Sequence, residues 1–240
     1  MALKRTKRTA SESKSQLGLF RNEPDHTPTS GPGNESKNHK SAEEIKAHND
    51  LAASQHPYVL KYHCTRKPHF DFRLGYIGLM KSWAMDIMPS YYPGHRRKAT
   101  QVEDHLREHI AFEGVFAEGT PGAGPTMVLD LEKWEPLPEY LNVDASLSNG
   151  YLKFRLHGKI LKGLWTLTRQ EEVPRSGASP IWYLTKEPDS FAVSEEQANT
   201  MFKEEPVSSL SKRTIKEVER EWNEGKDKGE PEPTLFDIET

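Results

Sequence analysis

The chain has 240 residues, of which 34% are hydrophobic and 29% are charged, with a formal net charge of -3. That length is enough for one domain with tails or for two small domains, and the low hydrophobic fraction predicts disordered ends. A single cysteine, Cys64, excludes an internal disulfide, and the absence of a long apolar run argues against a membrane span or a signal peptide. We therefore expect an intracellular protein without a membrane partner, nuclear if its source is eukaryotic and otherwise cytoplasmic.

Residues 1–56 are predicted to be a mostly disordered tail of basic and polar residues. Residues 4–8 form a basic cluster of the kind that directs proteins to the nucleus or binds nucleic acid. Near the end of the tail, Ser41 can cap a short helix that runs to Leu51.

From Pro57 onward the sequence predicts a series of short strands. They are residues 58–62, 70–75, 79–85, 99–103, 126–131, 150–157, 163–168 and 181–185. About eight strands at short spacing, with no long helix between them, favour an antiparallel barrel or a sandwich. We expect an all-β fold, a small antiparallel β-barrel over residues 57–190, with the tryptophans of these strands in its core.

Residues 191–240 are predicted to be an acidic tail with short helices. Ser194 opens one of them, and a second is predicted over residues 211–223. The apolar residues of the second helix, Ile215, Val218 and Trp222, form a stripe. The pattern is typical both of a helix that packs on the barrel and of a solvated helix, and the sequence leaves the two open.

Charge is distributed unevenly along the chain. Residues 57–112 carry nine Lys and Arg against five Asp and Glu, whereas residues 187–240 carry seven against fifteen. The central region therefore favours an anionic ligand, and the C-terminal region does not.

The strongest functional signal lies between Lys61 and Arg73. His69, Asp71 and Arg73 alternate with apolar residues, so they fall on one face of a strand whose other face packs in a core. His63 precedes a short turn, so its side chain can fold back over the same polar face. Two imidazoles and a carboxylate suit Mn, Fe or Zn, and the neighbouring guanidinium is a natural partner for a phosphate held by that metal.

Three further features are candidates for the site. His105 ends a strand and can contact a phosphate oxygen or protonate a leaving group; otherwise it is a surface histidine paired with Asp104. Residues 118–124 form a glycine-rich loop similar to an anion cradle, although it lacks the Lys and Ser/Thr of a phosphate-binding P-loop. Cys64 is either a catalytic thiol or, as we expect, a bystander in the turn.

The chain carries a series of motifs whose order and spacing hold from about Tyr58 to Lys186. They are His63, His69–Leu74, Leu79–Ala84, Pro89–Ser90, Val102–His105, Phe112–Gly114, Glu118–Gly119, Gly122–Gly124 and Leu152–Gly158. Together they resemble the 3′-phosphoesterase domain of bacterial DNA ligase D. We expect a stand-alone homologue of that domain.

The resemblance implies a small β-barrel with a metal site, preferably for Mn²⁺, that heals DNA 3′ ends in double-strand break repair by non-homologous end joining. Such a domain removes a 3′ ribonucleoside and then the 3′ phosphate. By position, the metal ligands are His63, His69 and Asp71, and the residues that hold or activate the phosphate are Arg73, Arg97 and His105. His109, at a position where the family has Tyr, is a further candidate catalytic residue. The implied partners are DNA 3′ ends, with or without a 3′ ribonucleotide, and a separate DNA ligase or polymerase; we expect a monomer.

The sequence departs from the family at three positions near the predicted site. Lys61 stands where the family has Gln, Ile87 where it has Lys, and His109 where it has Tyr. The metal ligands are thus retained while the outer phosphate shell differs, so nucleoside removal is the step most affected. Arg21 and Glu23 are the candidates for the family's N-terminal site segment.

Two other functions fit part of the pattern. Ile87 and His109 favour a degenerate, non-catalytic module that binds DNA ends. Alternatively, His69 and Asp71 with His105 or His157 would form the two-histidine, one-carboxylate site of a non-haem Fe(II) oxygenase. That second site would leave His63 unused.

Overall fold

The computed structural model describes residues 56–171 and 177–225, which are mainly β-strands. The strands are β1 (Pro57–His63), β2 (His69–Tyr76), β3 (Leu79–Met85), β4 (Arg96–Leu106), β5 (Gly114–Phe116), β6 (Gly124–Pro136), β7 (Tyr151–His157), β8 (Lys162–Arg169) and β9 (Ile181–Lys186). The α-helices are α1 (Val143–Ser148), α2 (Glu195–Thr200) and α3 (Ile215–Asn223). None of these described helices is long and apolar enough to cross a membrane.

Eight of the strands close into a barrel. Their order is β1-β2-β3-β4-β9-β8-β7-β6, and β6 pairs back with β1. All of these pairs are antiparallel, and β5 adds to the edge of β6 that faces away from β1. The predicted all-β barrel is therefore confirmed over the sandwich. Helix α1 was not predicted.

The barrel interior is built from the apolar positions of the alternating strands. Phe72 and Leu74 point inward from β2, whereas Asp71 and Arg73 lie on its outer face. Four tryptophans are at most 2% exposed, which confirms their predicted place in the core; they are Trp83, Trp134, Trp165 and Trp182. Truncating a buried aromatic residue of this kind typically costs about 3–5 kcal/mol, so the interior supplies a rigid support for the outer face.

A buried carboxylate fastens one turn to the barrel. Asp130 is fully buried and accepts backbone hydrogen bonds from Lys159, Ile160 and Leu161, as well as the hydroxyl hydrogen bond of Tyr58. A Cβ on Gly158 would lie 1.7 Å from the hydroxyl oxygen of Tyr58. This close approach gives the glycine at the end of the Leu152–Gly158 motif a packing role.

A second apolar cluster covers part of the outer face of the barrel. Its buried members are Val59, Met80, Ile110, Val128, Leu131 and Leu210. Ile215 and Val218 are also buried, so the apolar stripe of α3 packs on the barrel. Residues 107–116 and 207–223 thus form an outer layer beside β1 and β6.

Glu113 joins this outer layer to the barrel wall. Its Oε1 accepts the backbone N–H of Val128 at 2.8 Å and the hydroxyl of Ser208. The N–H of Ser209 donates to the carbonyl of Val128 at 2.9 Å. The backbone groups of Val128 that face away from β1 are therefore satisfied by a side chain and a loop, not by a strand.

Several predictions lie outside the described residues. They are the basic cluster at residues 4–8, the helix at residues 41–51, the candidates Arg21 and Glu23, and the tail beyond residue 225. The domain boundaries at residues 56 and 190 stay predictions.

Candidate metal centre

The β1–β2 hairpin places the predicted ligands side by side. In its register, His63 lies opposite His69, Lys61 opposite Asp71, and Val59 opposite Arg73. Residues opposite each other in an antiparallel pair point to the same face of the sheet. His63 therefore reaches the polar face from its own strand rather than by folding back from the turn.

His63, His69 and Asp71 converge. One ligand atom from each lies within 4.8 Å of the others. Nδ1 of His63 is 3.6 Å from Oδ2 of Asp71, and Nε2 of His69 is 3.7 Å from Oδ1 of the same carboxylate. The described part of the chain thus contains a candidate site for a metal ion, with a donor set of two nitrogens and one carboxylate.

The orientation of His69 suits a metal ligand. Its Nδ1 lies 3.0 Å from the carbonyl oxygen of Lys67. A carbonyl oxygen can only accept a hydrogen bond, so Nδ1 carries a proton and Nε2 is the nitrogen that faces Asp71. A hydrogen bond of this kind fixes the tautomer and ring angle of histidine ligands.

His63 also fits a cation. Its side chain is buried, and its Nε2 has no hydrogen-bond partner among the described residues. A buried polar atom left unsatisfied costs about 1–3 kcal/mol. The nitrogen of His63 that lies beside Asp71 is Nδ1, so the fit of a cation depends on the converging donor set of two imidazoles and one carboxylate.

Asp71 is held in its ionised form. Burial by itself would raise the pKa of its carboxyl, but the contact with His63 and the charges of Arg73 and His69 outweigh burial and hold the pKa well below its usual range. At 3.6 Å the His63 contact is longer than an ordinary hydrogen bond. A permanently ionised carboxylate is a suitable ligand for a divalent cation.

Arg73 provides a buried positive charge beside the cluster. Its Nη2 is 3.9 Å from Oδ2 of Asp71, and its side chain is 6% exposed. Ser82 of β3 lies opposite Arg73 in the sheet register. A guanidinium held next to a metal ligand is well placed to bind an oxygen of a phosphate.

His105 lies beyond Ser82 on the same face. Its Nδ1 is 2.9 Å from the carbonyl oxygen of Glu103 and 3.2 Å from Oγ of Ser82. The hydroxyl of Ser82 donates to the carbonyl of Met80 at 2.7 Å, so its oxygen can accept from His105. The Nδ1 of His105 is therefore protonated, and Asp104, its partner in the alternative interpretation, binds Nζ of Lys81 at 2.8 Å.

The other predicted phosphate residues lie farther along the wall or cannot be placed. Arg97 is the second residue of β4, at the barrel end that also carries the β1–β2 turn, and its Nη2 is 3.5 Å from Nδ1 of His95. Ile87 is 58% exposed. The backbone of His109 lies in a 3-10 turn, but its side chain is outside the described atoms.

An aromatic ring and a glycine loop enclose His63. The rings of His63 and Phe116 are 5.3 Å apart. A Cβ on Gly122 would lie 3.3 Å from Cε1 of His63. The glycine-rich loop of residues 118–124 therefore packs against the candidate ligand His63, and no local sequence pattern predicted this contact.

Two more residues, Lys61 and Ser82, lie beside the candidate site. Lys61 is fully buried opposite Asp71, and its Nζ is 5.8 Å from the centre of the Phe112 ring. Ser82 links the strand of Arg73 to His105. The hairpin spacing could have placed Lys61, because a pairing of His63 with His69 puts it opposite Asp71.

Cys64 and the alternative ligands lie elsewhere. Cys64 packs against the main core and interacts with the hydroxyl of Tyr62, which supports the bystander interpretation. The converging group does not include His105 or His157, and Nε2 of His157 lies 3.2 Å from Glu135. The geometry of the described residues thus favours His63, His69 and Asp71 as the metal-binding group. It does not favour the oxygenase alternative, in which His105 or His157 replaces His63.

Comparison with known proteins identifies relatives of one kind. A sequence model of the DNA ligase D 3′-phosphoesterase domain matches residues 61–169. The multifunctional non-homologous end joining protein LigD of Pseudomonas aeruginosa is 37% identical over 158 residues, which cover 66% of this chain and 18% of that protein. The LigD protein of Mycobacterium bovis is 30% identical over 133 residues, which cover 54% of this chain and 17% of that protein. The LigD protein of Mycolicibacterium smegmatis is 31% identical over 114 residues, which cover 46% of this chain and 15% of that protein. The chain therefore spans less than a fifth of the length of these relatives.

Proposed function

Because this chain contains a domain of the DNA ligase D 3′-phosphoesterase family, we propose that it is a metal-dependent phosphoesterase that repairs DNA 3′ ends. The family resemblance is confirmed; the activity is our proposal. The observation that supports it best is the convergence of His63, His69 and Asp71 within 4.8 Å, beside the guanidinium of Arg73.

We propose Mn²⁺ as the ion. A site of two imidazoles and one carboxylate suits borderline cations such as Mn, Fe and Zn, and the implied preference of the family selects manganese among them. When bound, such an ion withdraws charge from a phosphate oxygen and so stabilises the transition state of hydrolysis. The ligands His63, His69 and Asp71 would hold it.

The remaining side chains would bind and orient the terminal phosphate. Arg73 would hold a non-bridging oxygen, and its burial strengthens that interaction because water does not compete for the guanidinium. His105 would exchange a proton with the leaving oxygen through Nε2, because Nδ1 is committed to Glu103 and Ser82. Arg97, near the hairpin-turn end of β4, and His109, which follows the opposite end of that strand, stay predicted phosphate contacts.

The proposed substrate is a DNA strand that ends in a 3′ phosphate. Removal of a 3′ ribonucleoside is proposed as a weaker activity, because Ile87 and His109 replace the family's Lys and Tyr in the outer shell. A separate DNA ligase or polymerase would use the healed end, in non-homologous end joining. Since the relatives are bacterial proteins, the proposed location is the cytoplasm and not the nucleus.

The experiment measures release of phosphate from a primer-template with a 3′-phosphate primer, with and without Mn²⁺. We expect activity with the metal and its loss in Asp71→Asn, because the amide lacks the charge that binds the cation. Asp144→Asn is the matched control, since that carboxylate is 59% exposed on α1. Equal activity in Asp71→Asn and the native chain would refute the proposal.

The non-catalytic alternative has its own outcome in this experiment. The exposure of Ile87 and its replacement of a family lysine favour it. Tight binding of the primer-template without phosphate release, under Mn²⁺ and other divalent ions, would establish a DNA-end-binding module instead.

A further inference from the structure

We propose that four exposed cations beside the metal centre bind the phosphates of the DNA strand that leads to the reacting 3′ end. They are Arg66 and Lys67 in the β1–β2 turn and Arg96 and Lys98 on β4. We call them the cationic track. The inference rests on the proposed function, because it assumes that the anionic ligand is DNA.

The turn that carries Arg66 and Lys67 is fixed to the metal centre by its backbone. The hydroxyl of Thr65 donates to the carbonyl of Lys67 at 2.8 Å and accepts its N–H at 3.2 Å. The same carbonyl accepts Nδ1 of the ligand His69. The two cations therefore project from a backbone whose position is tied to the ligands.

Both side chains of the turn are available to a ligand. Arg66 and Lys67 are exposed, and neither forms an ion pair with a carboxylate of the described residues. The three-residue exposed stretch ends at Pro68, which restricts the turn further. Two exposed cations next to the candidate centre are placed to contact the phosphates of an approaching strand.

The other half of the track lies across two strands of the sheet. Asp71 pairs with Ala84 of β3, and Ala84 pairs with Thr100 of β4. Neighbouring strands are about 4.8 Å apart, so the backbone of Thr100 is about 10 Å from that of Asp71. Lys98 follows on the same outer face, because it alternates with the buried Ala99.

Arg96 continues the track towards the end of the barrel. Its guanidinium stacks on the ring of Tyr183 at 4.1 Å from the ring centre, which holds it on the outer face. Asp86, at the end of β3, is an exposed acid near this surface and would oppose the phosphates. A DNA strand presents one phosphate per about 3.4 Å of helix axis, so cations on the turn and on β4, two strands apart, can meet different phosphates of one strand.

The test measures binding by fluorescence anisotropy, using a primer-template with a 3′-phosphate primer in EDTA across a series of NaCl concentrations. Two double variants are compared with the native chain: Arg66→Ala with Lys67→Ala, and Arg96→Ala with Lys98→Ala. The control is Lys203→Ala with Lys216→Ala, two exposed lysines of the C-terminal region. All substituted side chains are on the surface, and circular dichroism checks that each variant is folded.

The logarithm of the association constant falls as the logarithm of the salt concentration rises, and each phosphate contact contributes about 0.7–0.9 to that slope. Each track variant removes two contacts, so its slope should be shallower than the native one by about 1.4–1.8. The control should keep the native slope. A native slope in both track variants, or no binding by the native chain, would overturn the inference.

Hydrolysis of the same primer by the native chain is measured in parallel with Mn²⁺. Turnover together with native slopes in the track variants rejects the track and leaves the proposed function standing. Reduced slopes without any turnover support the track and reject the phosphoesterase activity.

Discussion

Substituting Gly122 by alanine would test whether the glycine-rich loop sets the geometry of the metal centre. The backbone of Gly122 is left-handed, with φ of +79°, and its missing Cβ leaves room for the ring of His63. Alanine would place a methyl group 3.3 Å from Cε1 of that ring. Either the loop or the imidazole would then have to move by a few tenths of an ångström.

Two effects of this substitution can be separated by a control. A left-handed backbone costs an L-residue about 1–2 kcal/mol, and Gly122→Ala carries that cost. Gly119 has a similar φ of +87°, but a Cβ there would meet no atom within 4 Å. Gly119→Ala should therefore lose the same stability without touching His63.

The expected difference lies in metal affinity. Disturbing the groups that orient a ligand typically weakens metal binding about 10–100-fold, so Gly122→Ala should bind Mn²⁺ at least about tenfold more weakly than Gly119→Ala. Urea unfolding measures the shared loss of stability, and isothermal titration calorimetry measures the affinity. Equal affinities in the two variants would show that the loop does not position His63.

Two further substitutions test the packing. Glu113→Ala should destabilise the fold by about 3–5 kcal/mol in urea unfolding, because it leaves the Val128 N–H buried and unpaired and removes a partner of Arg213. Glu113→Gln keeps one acceptor oxygen and should lose clearly less stability. Similar losses in the two variants would contradict this role of Glu113. Burial raises the pKa of Tyr91 to about 12, so between about pH 10 and pH 12 the unfolded chain releases a proton that the folded chain keeps, and stability falls by up to about 1.4 kcal/mol per pH unit. Tyr91→Phe should lose stability less steeply over that window, and an unchanged slope would refute the assignment.

The sequence predicted an all-β fold because about eight short strands follow one another with no long helix between them, and β2 alternates strictly. In β2 every second residue is apolar, and the structure turns Phe72 and Leu74 into the core while Asp71 and Arg73 stay on the outer face. The same periodicity brought His69 onto the polar face. Period-two patterns carry this information because successive residues of a strand point to opposite faces.

The outer layer could not be predicted from local patterns. In the sequence, Glu113 is one charged residue between two strands. In the structure its carboxylate accepts hydrogen bonds from the N–H of Val128 and the hydroxyl of Ser208, which lie 15 and 95 residues away in the chain. The approach of Gly122 to His63 likewise depends on the path of a loop. Strand periodicity contains no information about such long-range contacts. The position of Lys61 opposite Asp71, in contrast, follows from the register of the β1–β2 hairpin.

The edge of β6 between β5 and β7 has a consequence for the assembly of the chain. There the backbone of Val128 is satisfied by Glu113 and by Ser209 of the C-terminal segment. A chain shortened before Val207 would present that edge as an open template for a strand from another copy, since unpaired edges promote intermolecular pairing. Self-association and poor solubility, rather than a damaged reaction centre, would then be the first sign of the missing segment.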